Sequence, residues 1–325
     1  MTLPHAWHQR LRLPAVAAPM TDVSGPDLVI AAAVNGIIGT FPTHNAKSAD
    51  ELEEWLSRIT AATGPAGSAQ AAPVGANLVV HRSNTRLASD LDSLLRHRLE
   101  IVITSVGSPA AVVGPLHDAG ILVLADVASI RHAHKAIEAG VDGLVLLSAG
   151  AGGQTGWANP LSFVRALRDD YDGILVLAGG ISDGYGVLAA RAAGADLAYL
   201  GTRFIATTES LASDAYRQAV VAATLDDIAA SVQVSGLPAN VLRSWLEAQD
   251  ITPTPPAGGA GDASPGFAQD RLLAQQNVWA AGHSVSGIDE VLDIPKLAER
   301  LAREYQQAQD LLLPAAANGI SRRWR

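Results

Sequence analysis

At 325 residues the chain has room for one large α/β barrel with a small extra module, or for two medium domains. Apolar residues make up 48% and aromatics only 5%, which suits a sizeable core of small side chains, while a net charge of −9 lacks the basic footprint of a nucleic-acid binder. The absence of cysteine excludes a disulfide framework, a thiolate nucleophile and a cysteine metal site.

Residues 1–12 mix His5, His8, Arg10 and Arg12 with apolar residues and lack the continuous apolar stretch of a signal peptide. No window approaches the ~18 uninterrupted apolar residues of a membrane span. A cytoplasmic protein is expected. From there, short apolar runs alternate with longer helical patterns eight times, at residues 15–18, 37–41, 75–80, 101–105, 121–125, 143–148, 174–178 and 197–201. The runs are near-continuous in apolar character, as strands buried on both faces are. The stretches between them carry helix signals. Ser24-Gly25-Pro26, Ser108-Pro109 and Asn159-Pro160 read as caps followed by proline, and Ser48 to Glu51 as a capping box. Gly120, Gly140 and Gly194 stand where helices should stop. Eight such repeats predict a parallel (β/α)8 TIM barrel, with a doubly wound open sheet as the rival.

After the eighth run the rhythm breaks. Residues 212–223 and 240–248 read as helices, 252–265 as a Pro/Gly/Ala/Ser-rich linker, and 287–309 as a terminal helical region. The expected division is a barrel over 1–222, a small, mainly helical additional domain over 223–282, and a helical segment over 283–325 that returns to the barrel. The basic tail 321–325 reads as loose.

Active sites of such barrels lie at the C-terminal ends of the strands, with phosphate commonly held after strands seven and eight. Those positions read Ala178-Gly179-Gly180-Ile181-Ser182-Asp183-Gly184 and Gly201-Thr202-Arg203-Phe204. Glycine lets backbone N–H groups approach phosphate oxygens, a helix beginning near Asp183 adds the positive end of its dipole, and Thr202 offers a hydroxyl. The bland reading is two tight turns. The sixth run ends in the small loop 148–156, Ser-Ala-Gly-Ala-Gly-Gly-Gln-Thr-Gly, which permits close approach to a flat ligand.

In this order and spacing the chain resembles the nitronate monooxygenases, formerly called 2-nitropropane dioxygenases. The resemblance runs from Ala18-Pro19-Met20 and Val23-Ser24-Gly25-Pro26 through Gly75-Ala76-Asn77-Leu78, the loop 150–156 and the two glycine turns. It continues to Ser235-Gly236-Leu237-Pro238-Ala239-Asn240 and Trp279-Ala280-Ala281-Gly282-His283. It implies an FMN-dependent barrel in which the backbone of Ala18, Pro19 and Met20 lines the isoalloxazine and Asn77 hydrogen-bonds it. Gly179, Gly180, Gly201 and Thr202 would take the phosphate, and Gly153 would belong to the loop against the ring. Asp126, at the end of the fifth strand, either hydrogen-bonds flavin or substrate or caps the next helix beside Ser129.

The family's G-G-H loop sets a histidine over the flavin; here that position is Gln154. An imidazole is a general base near neutral pH, whereas an amide only donates and accepts hydrogen bonds. A nitroalkane must lose its α-proton before it can reduce flavin, and an alkyl nitronate has already lost it, so nitronate turnover is expected to survive better. His44 after the second strand, His81 after the third, and His283 are candidates to replace the base; each also reads as an exposed or structural histidine. Arg82 and Arg203 are candidates to face an anion. No His/Asp/Glu cluster has ligand spacing, so no metal is expected.

The leading expectation is thus an FMN-dependent oxidoreductase that oxidises alkyl nitronates with O2. The alternatives are an enoyl- or quinone-type reductase or dehydrogenase acting on an activated C=C bond, and a catalytically silent flavin-binding protein. The expected partner is a small-molecule substrate, an anion or activated alkene, with no nucleic acid and no membrane; a homo-oligomer stays open.

Overall fold

A computed structural model describes residues 3–64, 67, 70–234, 236–256 and 277–317. Ser235, the linker beyond residue 256 and the tail 321–325 lie outside the described residues. Eight parallel strands close a barrel: β1 (Ala15–Ala17), β2 (Ile38–Pro42), β3 (Val74–Val79), β4 (Ile101–Ser105), β5 (Leu122–Val127), β6 (Gly143–Leu147), β8 (Ile174–Ala178) and β9 (Leu197–Leu200). The two-residue β7 (Gly153–Gln154) falls between β6 and β8 in the chain and stands outside the barrel. Closure comes from β1, whose Val16 pairs with Ile38 of β2 on one side and Tyr199 of β9 on the other.

Each barrel strand is buried on both faces, which explains the near-continuous apolar runs. Val16, Ile38, Ile101, Ile103, Leu124, Val145, Ile174, Val176 and Leu197 fill the barrel interior. The alternate residues, such as Ala15, Ala17, Val102 and Val123, meet the surrounding helices. Trp7, on the short helix His5–His8, joins the interior cluster with Leu3. Its indole donates to Glu100, which Arg10 also holds with two hydrogen bonds of 2.7 and 2.8 Å. Glu100 precedes β4, so this plug lies at the N-terminal end of the strands and the functional mouth is the opposite one.

Helix boundaries follow the local chemistry. Ser48, Ser129, Asn159 and Asp183 cap their helices through side-chain oxygens. Ser24 does not. Gly25 stands at the N-cap of Pro26–Val34, and the fully buried Ser24 hydroxyl accepts from Met20 N–H and donates to Ala18 C=O. The terminal helix Ile294–Ala317 packs against Gly184–Ala193. A Cβ on Gly184 would lie 2.1 Å from Tyr305 N, so this glycine serves helix contact.

The segment after β9, read as mainly helical, also contains strands. Helix Asp214–Ala222 forms, two strands follow it, β10 (Ile228–Ser231) and β11 (Ala239–Leu242), and a short helix, Arg243–Ala248, comes next. β11 pairs antiparallel with β10 and with β7, which comes from the loop after β6. Buried Val234, Val241, Leu242, Trp245 and Leu246 share an apolar cluster with Val23, Ile205, Val285 and Ile288. A run such as Ala239-Asn240-Val241-Leu242 has no decisive periodicity, and pairing with a distant strand decides it. Among the described residues no helix is long and apolar enough to cross a membrane.

Candidate active site

The C-terminal mouth of the barrel opens into a cavity of about 1420 Å³, counting the space open to solvent. Its lining unites twelve of the residues singled out in the sequence: Ala18, Pro19, Met20, His44, Asn77, Asp126, Gly153, Gln154, Gly179, Gly180, Gly201 and Thr202. Arg203 is absent from that wall. It is 1% exposed and turned toward the terminal region, where Nη1 donates to Glu290 C=O. Arg82 is exposed. Among the described residues, no lysine or arginine lines the cavity.

The end expected to take phosphate is made of backbone. Gly179 (φ 124°) and Gly180 (φ 74°) occupy left-handed conformations that L side chains rarely adopt. A Cβ on Gly179 would lie 2.3 Å from Ser148 Oγ, whereas one on Gly180 would meet nothing within 4 Å. The first glycine therefore allows the turn to pack, and the second leaves the cradle clear. The next helix, Gly184–Ala193, is capped by Asp183, which accepts from Gly186 N–H at 2.7 Å. Gly201 has an ordinary φ of −100°, so its glycine is not demanded by conformation. Thr202 Oγ1 accepts from Gly282 N–H at 2.9 Å, which leaves the hydroxyl proton for a second acceptor.

The opposite wall begins with the loop after β1. Besides the Ser24 stitch, Asn45 Nδ2 donates to the carbonyls of Met20 and Ser24 at 2.9 and 2.8 Å, and Asn45 Oδ1 accepts from Asp22 N–H. Ser24 and Asn45 thus position the Ala18–Met20 backbone. Neither was singled out for this role, because each acts through a contact some twenty residues away or across a loop. His44 Nε2 lies 2.9 Å from Thr21 Oγ1, and its Nδ1 is buried without a partner. Burial, then the nearby Arg86 charge, holds the imidazole at about 4, so it is neutral at physiological pH.

On the floor, Ser105 Oγ donates to Asn77 Oδ1 at 3.0 Å, which turns the Asn77 amide nitrogen toward Asp126 Oδ2 at 3.3 Å. Asp126 Oδ1 is buried and has no partner. Burial raises this carboxyl to about 7, opposed by the Asn77 hydrogen bond. The cap of the following helix is Ser129, whose Oγ accepts from His132 N–H, so Asp126 is not used there. Tyr199 of β9 also lines the cavity, and burial with the nearby Asp126 pushes its phenol well up.

Gln154 faces the cavity from the loop after β6. The loop is ordered: Gln154 pairs with Ala239 and Gly153 with Asn240. Buried Asn240 donates to Ala151 C=O at 2.8 Å. Its glycines serve close packing, because a Cβ on Gly152 would lie 2.7 Å from Gly282 N. Among the described residues, the Gln154 side-chain amide has no hydrogen-bond partner. The upper wall is apolar, with Val23, Ile205, Val234, Val241 and Val278, and Tyr216 stacks on Trp279 at 5.5 Å.

Two expected histidines stand outside the lining. His81 is folded onto its own turn, with Nδ1 2.7 Å from Ser83 Oγ. His283 is exposed, its ring packed against Gly150 and its backbone N–H donating to Gly150 C=O.

The donor set fits an FMN phosphate and ring: a neutral backbone cradle free of Cβ atoms at one end, and Asn77, Asp126 and the Ala18–Met20 turn at the other. The model of the nitronate monooxygenase family matches residues 7–260. A nitronate monooxygenase of Paraburkholderia phytofirmans is 30% identical over 235 residues, 67% of this chain and 64% of its own. A (3aS,4S,5R,7aS)-5-hydroxy-7a-methyl-1-oxo-octahydro-1H-indene-4-carboxyl-CoA dehydrogenase of Rhodococcus jostii is 29% identical over 233 residues, 72% of this chain and 63% of its own. The chain therefore spans a little under two thirds of these relatives. Among solved structures, a nitroalkane oxidase of Streptomyces ansochromogenes superposes with a TM-score of 0.78 at 24% identity, covering 94% of this chain and 99% of that one.

Proposed function

The chain belongs to the nitronate monooxygenase family of FMN-dependent oxidoreductases, and from that premise we propose that it oxidises alkyl nitronates, with O2 as the electron acceptor. The observation that carries this reading is Gln154 on the cavity wall, with no hydrogen-bond partner among the described residues and no proton-accepting capacity. A substrate that arrives already ionised needs no base at that point. FMN, when bound, would supply the redox chemistry between a nitronate and oxygen.

The chain's own groups bind and orient. N–H groups at Gly179-Gly180 and Gly201-Thr202 hold the phosphate, aided by the Gly184–Ala193 helix dipole. Asn77 and the backbone of Ala18, Pro19 and Met20 hold the ring. Gln154 donates from Nε2 to an oxygen of the substrate anion, and the apolar wall of Ile205, Val234, Val241 and Val278 excludes water. His44, Asp126, Tyr199 and Tyr216 are titratable side chains buried beside this space.

The relative named as a carboxyl-CoA dehydrogenase favours a second reading, a dehydrogenase or reductase of an activated C=C bond. Stopped-flow reduction of the purified yellow protein separates the two. Bleaching by an anaerobic nitronate, and not by NADH or NADPH, is the expected result. Rapid bleaching by a nicotinamide nucleotide favours the second reading, and no bleaching by any donor leaves a silent flavin-binding protein.

A further inference from the structure

We propose that Asp126 works in the loaded protein as a neutral carboxylic acid, donating its proton in a hydrogen bond to a carbonyl oxygen or unprotonated ring nitrogen of the bound flavin. The proposal rests on the cofactor reading above. Asp126 stands near the end of β5, lines the cavity floor beside Asn77 and Tyr199, and has one oxygen without any partner. The other oxygen accepts a single 3.3 Å hydrogen bond from Asn77, whose amide is oriented by Ser105. Among the described residues no lysine or arginine lines the cavity, so the ionised form would be a buried anion without a counterion.

The neutral acid removes that penalty and creates a different need. Its O–H must find an acceptor, and no hydrogen bond to a described protein group offers one: Asn77 presents its NH2 to Asp126 while its oxygen faces Ser105, and Oδ1 of Asp126 has no hydrogen-bond partner. Rotation about χ2 is soft, so either oxygen can carry the proton toward the cavity. The acceptor must then come from what the cavity holds, and a flavin ring presents acceptors along its polar edge.

The titratable groups around Asp126 are consistent with a neutral acid. Tyr199, facing it from β9, stays protonated. His44, on the loop after β2, is neutral. Asp22, on the loop after β1, is exposed at the cavity rim, where it accepts from Asn277 N–H. Burial places the ionisation of Asp126 itself near 7, inside the range where pH selects between donor and anion.

The test is FMN affinity of the apoprotein, read by flavin fluorescence from about pH 5.5 to about pH 9. Wild-type affinity is expected to fall about tenfold or more from roughly pH 6 to roughly pH 8.5, as proton linkage requires when only the acid form binds well. Asp126→Asn, an N–H donor at every pH, is expected to hold its affinity flat. Asp126→Leu is expected to bind weakly throughout. Parallel profiles for wild type and Asp126→Asn would overturn the proposal while leaving FMN as the cofactor. Absence of FMN binding by wild type at any pH overturns the cofactor reading and the proposal with it. If Asp126→Asn does not fold, the wild type still decides: its decline must persist in His44→Gln, and a flat profile or one abolished by His44→Gln overturns the role of Asp126.

Discussion

The backbone N–H of Gly282 donates to the Thr202 hydroxyl oxygen at 2.9 Å, joining residues 80 positions apart at the rim of the proposed phosphate cradle. The bond fixes the Thr202 rotamer and leaves its proton free for a ligand. Thr202→Val removes both functions. It is expected to leave the buried Gly282 N–H unpaired, at a cost of about 1–3 kcal/mol, and to weaken FMN binding. Thr202→Ser is expected to restore both. Urea unfolding and FMN titration of the two variants check this.

Gly179 and Gly180 should respond differently to the same change. Gly179→Ala sets a Cβ 2.3 Å from Ser148 Oγ at a φ of 124°, so either the Ser148 hydroxyl leaves Ala178 C=O or the turn moves, and the fold is destabilised. Gly180→Ala meets nothing within 4 Å and carries only the left-handed backbone penalty of about 1–2 kcal/mol. Its methyl group would stand in open space at the cradle. Near-wild-type melting with lost FMN affinity is expected for Gly180→Ala, and loss of both for Gly179→Ala. Equal FMN affinity in Gly180→Ala and wild type would remove this turn from the phosphate site.

Asp126 and His44 pull the pH dependence of apoprotein stability in opposite directions. Asp126 is raised from 3.8 to about 7, so its contribution is full below pH 3.8 and is lost as pH rises through 7. Asp126→Asn should therefore gain on wild type with rising pH, by about 4 kcal/mol at most. His44 is lowered from 6.5 to about 4, so its contribution is full above 6.5 and lost as pH falls through 4. His44→Gln should gain on wild type only on acidification. Denaturant midpoints at about pH 4.5, about pH 6 and about pH 8 measure both differences.

Gln154 supplies one hydrogen bond to an anion in the proposed reaction. Gln154→Ala is expected to lower kcat/KM for a nitronate by about ten- to a hundredfold and to leave FMN affinity unchanged. Gln154→His introduces a base, so turnover of a neutral nitroalkane should appear and titrate with the imidazole. Comparable wild-type rates on a nitroalkane and its nitronate, without prior ionisation in solution, would contradict the role given to Gln154.

The barrel was legible in the sequence because its determinants are local. Residues buried on both strand faces read as continuous apolar runs, and caps such as Ser48, Asn159 and Asp183 act within three residues of themselves. The glycine turns were legible for the same reason, since a left-handed φ at Gly179 and Gly180 is a local demand. Tertiary structure decided what depends on distant partners. It turned residues 239–242 into a strand by pairing them with residues 153–154, and it made Gly184 a helix contact. It kept His44 at the cavity while folding His81 onto Ser83 and setting His283 behind Gly150. It also left Asp126 buried with one weak partner. A sequence names which groups can carry a proton, but their environment, and hence their charge, is set by residues that only folding brings together.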